Sequence, residues 1–277
     1  IGVPANHTIE LSNPYYLPVI KDSRTHYGGS QMWFAKKSRF SEDYILRTYG
    51  CGTIATADIL LYLAMQNEAL RTELTNAVLQ NRIDSLQQSI TNKNTVDYES
   101  YDPYVRKINR EYTHTRHIIA VLGPKVARAI NSYSHKYNLG LKATWKWKLT
   151  YYDMLEIMEE MLSKDIPVII SIGPNWPNLW GKKGVAFYER REIDYYTPDD
   201  RQTAKNKPYY YHTMEQAVNG HYVVVTGIIK DEITSRIMLR ISSWGKMYYI
   251  NYEEYRDYID TASSTWLSSL VQIIRND

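Results

Sequence analysis

The sequence predicts an α+β fold, helices first and sheet last. Three observations carry this. From Gly52, the apolar residues Ile54, Ala57, Leu61 and Ala64 recur at helical spacing, with Leu60 and Met65 widening the face. A second helical set, Val126, Ala127, Ile130, Tyr133 and Tyr137, follows Pro124 and stops at Gly140. The C-terminal part instead holds the runs GHYVVVTGII and RIMLRIS, joined by the polar turn KDEITS.

Taken in order, residues 1–40 are rich in Pro, Asn, Ser, Gly and aromatics without a sustained period, so they read as an extended arm with a short strand, packed on the main body. Residues 41–277 read as a single domain carrying two insertions. The Gly52 helix runs to about Gln66. Residues 67–110 are polar, weakly helical from Leu70 to Leu86 and turn-rich at NKNTVDYESYDPY, and read as a helical insertion over one face of the core. After the Pro124 helix, ATWKWKL alternates like a strand, and Thr150 with Asp153 has capping-box spacing before a helix bearing Met154, Leu155, Met158, Met161 and Leu162. IPVIISIGPNW then reads as a buried strand and turn. Residues 175–211, rich in Tyr and Trp, form the second insertion, with a hairpin and a mobile tip at TPDDRQTAKNKP. WGKMYYINYEEY and SSLVQIIRND close the β region.

Composition sets bounds on function. With 277 residues and 44% hydrophobic content, the chain has ample core for one large domain or two modest ones. No window approaches the 18 apolar residues of a spanning helix, so no membrane span is expected. The sequence opens at Ile1 without a basic-then-apolar leader pattern, which reads as processing or trimming. The 33 basic and 30 acidic side chains are scattered, so nucleic acid is not an expected partner. A count of 26 Tyr against 3 Phe suits either a peptide or glycan groove or a tyrosine-rich surface.

The single cysteine, Cys51, cannot form an internal disulfide or a paired-cysteine zinc site. It sits between Gly50 and Gly52 at the start of an apolar helix. There, free backbone N–H groups and the helix dipole favour thiolate and can receive an oxyanion, while the glycines let a substrate backbone approach. The alternative is an inert buried thiol. The best-placed base is His221, opening the HYVVVTGII strand, although a histidine beside a Val run is also an ordinary core residue. RIMLRIS would return SSWG beside it, making Ser242 the candidate to orient the imidazole, or Ser242 and Trp244 simply a turn. Asp58 reads as a core-bonded acid with a lesser claim to the site. His114 and His117 read as a solvated helix face, Asp199 and Asp200 as loop charge, and no metal or nucleotide motif is present.

The ordered set GCGTIATADILLYL, LSKDIPVIISIG, GHYVVVTGI and RISSWGK resembles the papain-like cysteine peptidases, most of all the branch related to bacterial double-glycine leader peptidases. The resemblance spans about residues 41–260. It implies a helical lobe bearing the cysteine followed by an antiparallel β lobe bearing the histidine, with Cys51 as nucleophile and His221 as base and acid. It also implies a peptide or protein substrate, no cofactor, and a secreted or cell-surface location ahead of a cytoplasmic one. Two positions depart from the family. Ser242 stands where the family has Asn or Asp ahead of xWG, and Ile45 falls where a Gln supplies the second oxyanion donor. Tyr44, Arg47, Thr48 or Tyr49 could substitute for the latter. The leading expectation is therefore a cysteine peptidase. The alternatives are a degenerate papain-fold module that binds a peptide or protein partner, and a transglutaminase-type acyl transferase.

Overall fold

The computed structural model describes residues 6–66, 95–118, 120–175, 182–192, 209–231 and 234–276. The centre of the sheet is β9 (His221–Asp231), buried from Val223 to Ile229. A run this apolar must be covered on both faces, which places it inside rather than at an edge. One of its edges takes β10 (Ile237–Ser243). The other is shared end to end by β6 (Val168–Ile172), opposite His221 to Val225, and β1 (Asn6–Glu10), opposite Gly227 to Asp231. The N-terminal arm thus contributes a strand to the central sheet.

Among the described residues this sheet has nine strands. Beyond β6 come β12 (Leu270–Arg275) and β5 (Leu141–Lys146). Beyond β10 come β11 (Lys246–Asn251), β7 (Val185–Glu192) and β8 (Tyr209–Val218). The β7–β8 pair is the hairpin expected in the second insertion, while its expected tip lies outside the described residues. A smaller sheet is made by the hairpin of β2 (Pro18–Lys21) and β3 (Arg24–Tyr27), with β4 (Val96–Asp97) parallel to β2.

Helix α1 (Glu42–Tyr49) is capped by the Ser41 hydroxyl and leads through Gly50 into α2 (Cys51–Gln66). Every residue of α2 from Cys51 to Met65 is buried, which is why its apolar residues run right round the helix rather than along one stripe. α2 packs on β9, on α3 (Tyr98–Ile108) and on α4 (Gly123–Tyr137). α5 (Tyr151–Ser163) begins where expected, with the Thr150 hydroxyl accepting from the Asp153 N–H.

Several expectations need correction. DYESYDPY is not turn-rich connection but the start of α3, whose Tyr101, Tyr104, Val105 and Ile108 are core residues. The part of the first insertion expected to be helical from Leu70 to Leu86 lies outside the described residues. NYEEY does not continue a strand: Asn251 accepts from the Glu253 and Glu254 N–H groups and starts α6 (Tyr252–Thr261), burying Tyr252, Tyr255, Tyr258 and Ile259. His114 and His117 are not on a helix face, since the α3 extension ends with His114 left-handed at φ 48°. Nor is the tyrosine excess a surface property alone, because among the described residues seven of the twelve largest fully buried side chains are Tyr. A hydroxyl taken inside needs a partner, and the fold supplies several: Tyr101 donates to Asp58, Tyr255 to the Ser171 carbonyl and Tyr252 to the Tyr151 carbonyl, while the buried Tyr16 hydroxyl is left without one. The helix and strand content makes the molecule α+β, with strands contributed from both ends of the chain.

Candidate thiol–imidazole site

Cys51 is the first residue of α2, its thiol free and buried. The Gly50 carbonyl accepts from the Ile54 N–H and so opens the helix ladder around the cysteine. Gly52 sits in close approach to the strand: a Cβ there would stand 3.2 Å from the Tyr222 ring of β9, which would have to give by a few tenths of an ångström. Tyr222 in turn donates its hydroxyl to the Val121 carbonyl at 2.8 Å, tying the strand that begins with His221 to the segment just ahead of α4.

His221 is equally buried. Its Nε2 lies 2.8 Å from the Ser243 hydroxyl, and Trp244 stacks on the ring at 4.6 Å with an interplanar angle of 21°. The hydroxyl that orients the imidazole is therefore that of Ser243, not of Ser242 as expected. Period-2 alternation accounts for the difference, since neighbouring residues of β10 point to opposite faces. Ser242 instead donates to the Tyr27 carbonyl at 2.7 Å.

Cys51, His221, Ser242, Ser243 and Trp244 line one cavity of about 20 Å³, together with Asp58, Gly29 and Gln31. That is room for about one water. The other expected residues lie elsewhere. Tyr44 and Tyr49 stand around the His117 ring, with centroids at 6.1 and 5.5 Å, and do not line the cavity. Ile45 and Thr48 are likewise absent from its wall.

The electrostatics follow from enclosure. Burial pushes the Cys51 thiol up, outweighing the backbone N–H groups of Tyr222, Gly52 and Cys51 that favour thiolate. Burial alone pulls His221 down from 6.5 to about 4. Near neutral pH the resting site therefore holds a neutral thiol and a neutral imidazole. Asp58, seven residues along α2 and on the same helix face as Cys51, is pushed up from 3.8 to about 7 by burial against the opposing bonds from Tyr101 and Gly29.

Gln31 is the residue that sequence reasoning missed. It opens a short 3₁₀ turn (Gln31–Trp33), capped by Ser30, and its Nε2 donates to the Arg47 carbonyl at 2.9 Å. Arg47 answers by donating to the Met32 and Phe34 carbonyls, so α1 and this turn clamp each other. One N–H of the carboxamide remains beyond the Arg47 bond. The signal was the glutamine in GGSQMW, separated from the cysteine by the whole of α1 rather than by the expected six or so residues. Among the described residues no group of three or more His, Cys, Asp or Glu is placed to hold a metal ion, and no helix is long and apolar enough to cross a membrane. Compared with protein-family models, curated proteins and solved structures, the chain matches none.

Proposed function

We propose that the protein is a papain-like cysteine peptidase acting on a peptide amide, with Cys51 as nucleophile and His221 as general base and acid. The observation that carries this reading is that the helix-borne Cys51 and the strand-borne His221 line one cavity, with the far nitrogen of the imidazole held by Ser243.

In the proposed reaction Cys51 Sγ attacks the carbonyl carbon while its proton passes to the free imidazole nitrogen of His221. The carbonyl oxygen becomes an oxyanion, received by the first-turn N–H groups of α2 and the Gln31 carboxamide. Collapse breaks the C–N bond, and His221 returns the proton to the departing amine. Water, losing a proton to the same histidine, then attacks the thioester, releasing a carboxylic acid and restoring the thiol. Ser243 holds the ring without adding charge, so the imidazolium that forms in each step is less stabilised than beside a carboxylate. Trp244 covers the ring and limits water access. No cofactor enters the scheme.

The cavity also favours a second reading. A space of about 20 Å³ cannot admit a scissile peptide until its walls part, and a neutral pair is a poor resting nucleophile. A module that keeps the papain-like arrangement and binds a peptide or protein partner without turnover fits those two facts. An acyl transferase differs only in the acceptor that resolves the thioester.

The test is a peptide-library digest read by mass spectrometry for the wild type, Cys51→Ala and His221→Ala, with and without an added amine. Cleavage lost in both variants supports the peptidase. Amine incorporation supports transfer, and intact peptides retained by the wild type support the binding module.

A further inference from the structure

Five residues of the N-terminal region, Tyr27 to Gln31, cross between the helix that bears Cys51 and the hairpin that bears Ser243. On the helix side, the Gly29 N–H donates to Asp58 Oδ2 at 2.8 Å, while Tyr101 donates to Asp58 Oδ1 at 2.5 Å. On the sheet side, Ser242 donates to the Tyr27 carbonyl at 2.7 Å, and the Tyr27 N–H donates to the Gly245 carbonyl at 2.9 Å. Between these anchors Gly28 has φ +78°, and a Cβ there would fall 2.4 Å from Ser242 Oγ and 2.8 Å from Asp58 Oδ2. The segment is a strap squeezed between the two elements, and its far end is Gln31.

Asp58 is only 1% exposed and lines the same cavity as Cys51 and Gln31. Burying a carboxylate that has no basic partner is costly, and the polar groups it satisfies are the strap and one helix neighbour. The titratable groups around it are Tyr16, Tyr101 and Tyr104, with Cys51 and His221 across the cavity. None supplies a positive charge near neutral pH.

We propose that Asp58 is a positioning residue, which seats the Tyr27–Gln31 strap through the Gly29 N–H and so fixes where the Gln31 carboxamide stands beside Cys51. The proposal rests on the cysteine peptidase reading for its catalytic consequence, but the seating of the strap stands apart from any activity. Ser242 acquires a role on the same grounds: it anchors the opposite side of the strap rather than the imidazole.

Two measurements test this on the full chain. Amide hydrogen exchange at pH 8 compares the wild type with Asp58→Asn, whose amide can accept only at its oxygen, and with Ser242→Ala, which frees the other anchor. Exchange of the strap amides is expected to rise about tenfold or more in both variants, with the β9 amides unchanged. Strap exchange equal to the wild type in Asp58→Asn would overturn the proposal, whether or not any peptide is cleaved, and equal exchange in Ser242→Ala would remove Ser242 as the second anchor. If Asp58→Asn does not fold, Ser242→Ala alone decides whether the strap depends on its anchors.

In the peptidase assay, Asp58→Asn is expected to lower kcat about 100-fold with KM within about twofold, approaching the loss of a single oxyanion donor. Cys51 alkylation by iodoacetamide, which forms no oxyanion, should stay within about twofold of the wild type. The double variant with Gln31→Ala should lose no more than Gln31→Ala alone, because both act through one carboxamide. Additive losses would remove Gln31 from the argument. A wild type that cleaves nothing would sink the peptidase reading while leaving the exchange result to judge the strap.

Discussion

His221 Nε2 and Ser243 Oγ stand 2.8 Å apart across neighbouring strands, under the stacked ring of Trp244. This pair fixes the imidazole with a neutral group. Ser243→Ala should therefore lower kcat about tenfold, the cost of one neutral hydrogen bond, rather than the larger factor a carboxylate partner commands. Steady-state kinetics check it. An unchanged rate would mean that Trp244 stacking alone holds the ring.

The depressed His221 value makes a pH prediction. The unfolded imidazole titrates near 6.5 and the folded one near 4, so the unfolded state binds more protons between those values. Stability from this group is present above pH 6.5 and is lost as pH falls toward 4, by up to about 3 kcal/mol. Denaturant unfolding from pH 4 to 7 should show that slope, and His221→Gln should flatten it.

Asp58 acts with the opposite sign. Its folded value, about 7, lies above the unfolded 3.8, so its contribution is complete below pH 4 and is lost as pH rises through 7. Asp58→Asn should gain relative stability over that interval, by up to roughly 4 kcal/mol. The same unfolding series measures it, and a pH-independent difference between the two proteins would refute it.

Cys51 alkylation should be slow in the folded protein and should rise only above the ordinary thiol range of about 8.5, because burial pushes the thiol up. His221→Ala should leave this resting profile nearly unchanged. Rapid reaction below pH 7 that collapses in the variant would instead mean that the pair rests as thiolate and imidazolium.

Much of the framework is readable in the chain because local signals agreed with the fold. The largely apolar helix from Cys51, the Thr150 cap and the runs at β6, β9 and β10 are each written in one short stretch of sequence. α6 was harder, since NYEEY offers tyrosines that suit strand and helix alike, and only the Asn251 cap decides between them. In the site, Cys51 and His221 were legible as ends of apolar elements. Ser243 was not, because adjacent serines differ only in the face they present. Gln31 and the strap were invisible because contacts, rather than spacing, bring the N-terminal region to the cysteine.

The strand β1 has a consequence for assembly. It pairs with the far half of β9 across about 220 residues of sequence, one of the most distant contacts among the described residues. Closing so long a loop is entropically slow, and it cannot begin on the ribosome until β9 has been synthesised. The cysteine helix is complete long before that moment, while the histidine, on that same β9, arrives with it. The Cys51 thiol therefore waits through much of the synthesis of this stretch, and it can meet the His221 imidazole only once β9 has been made.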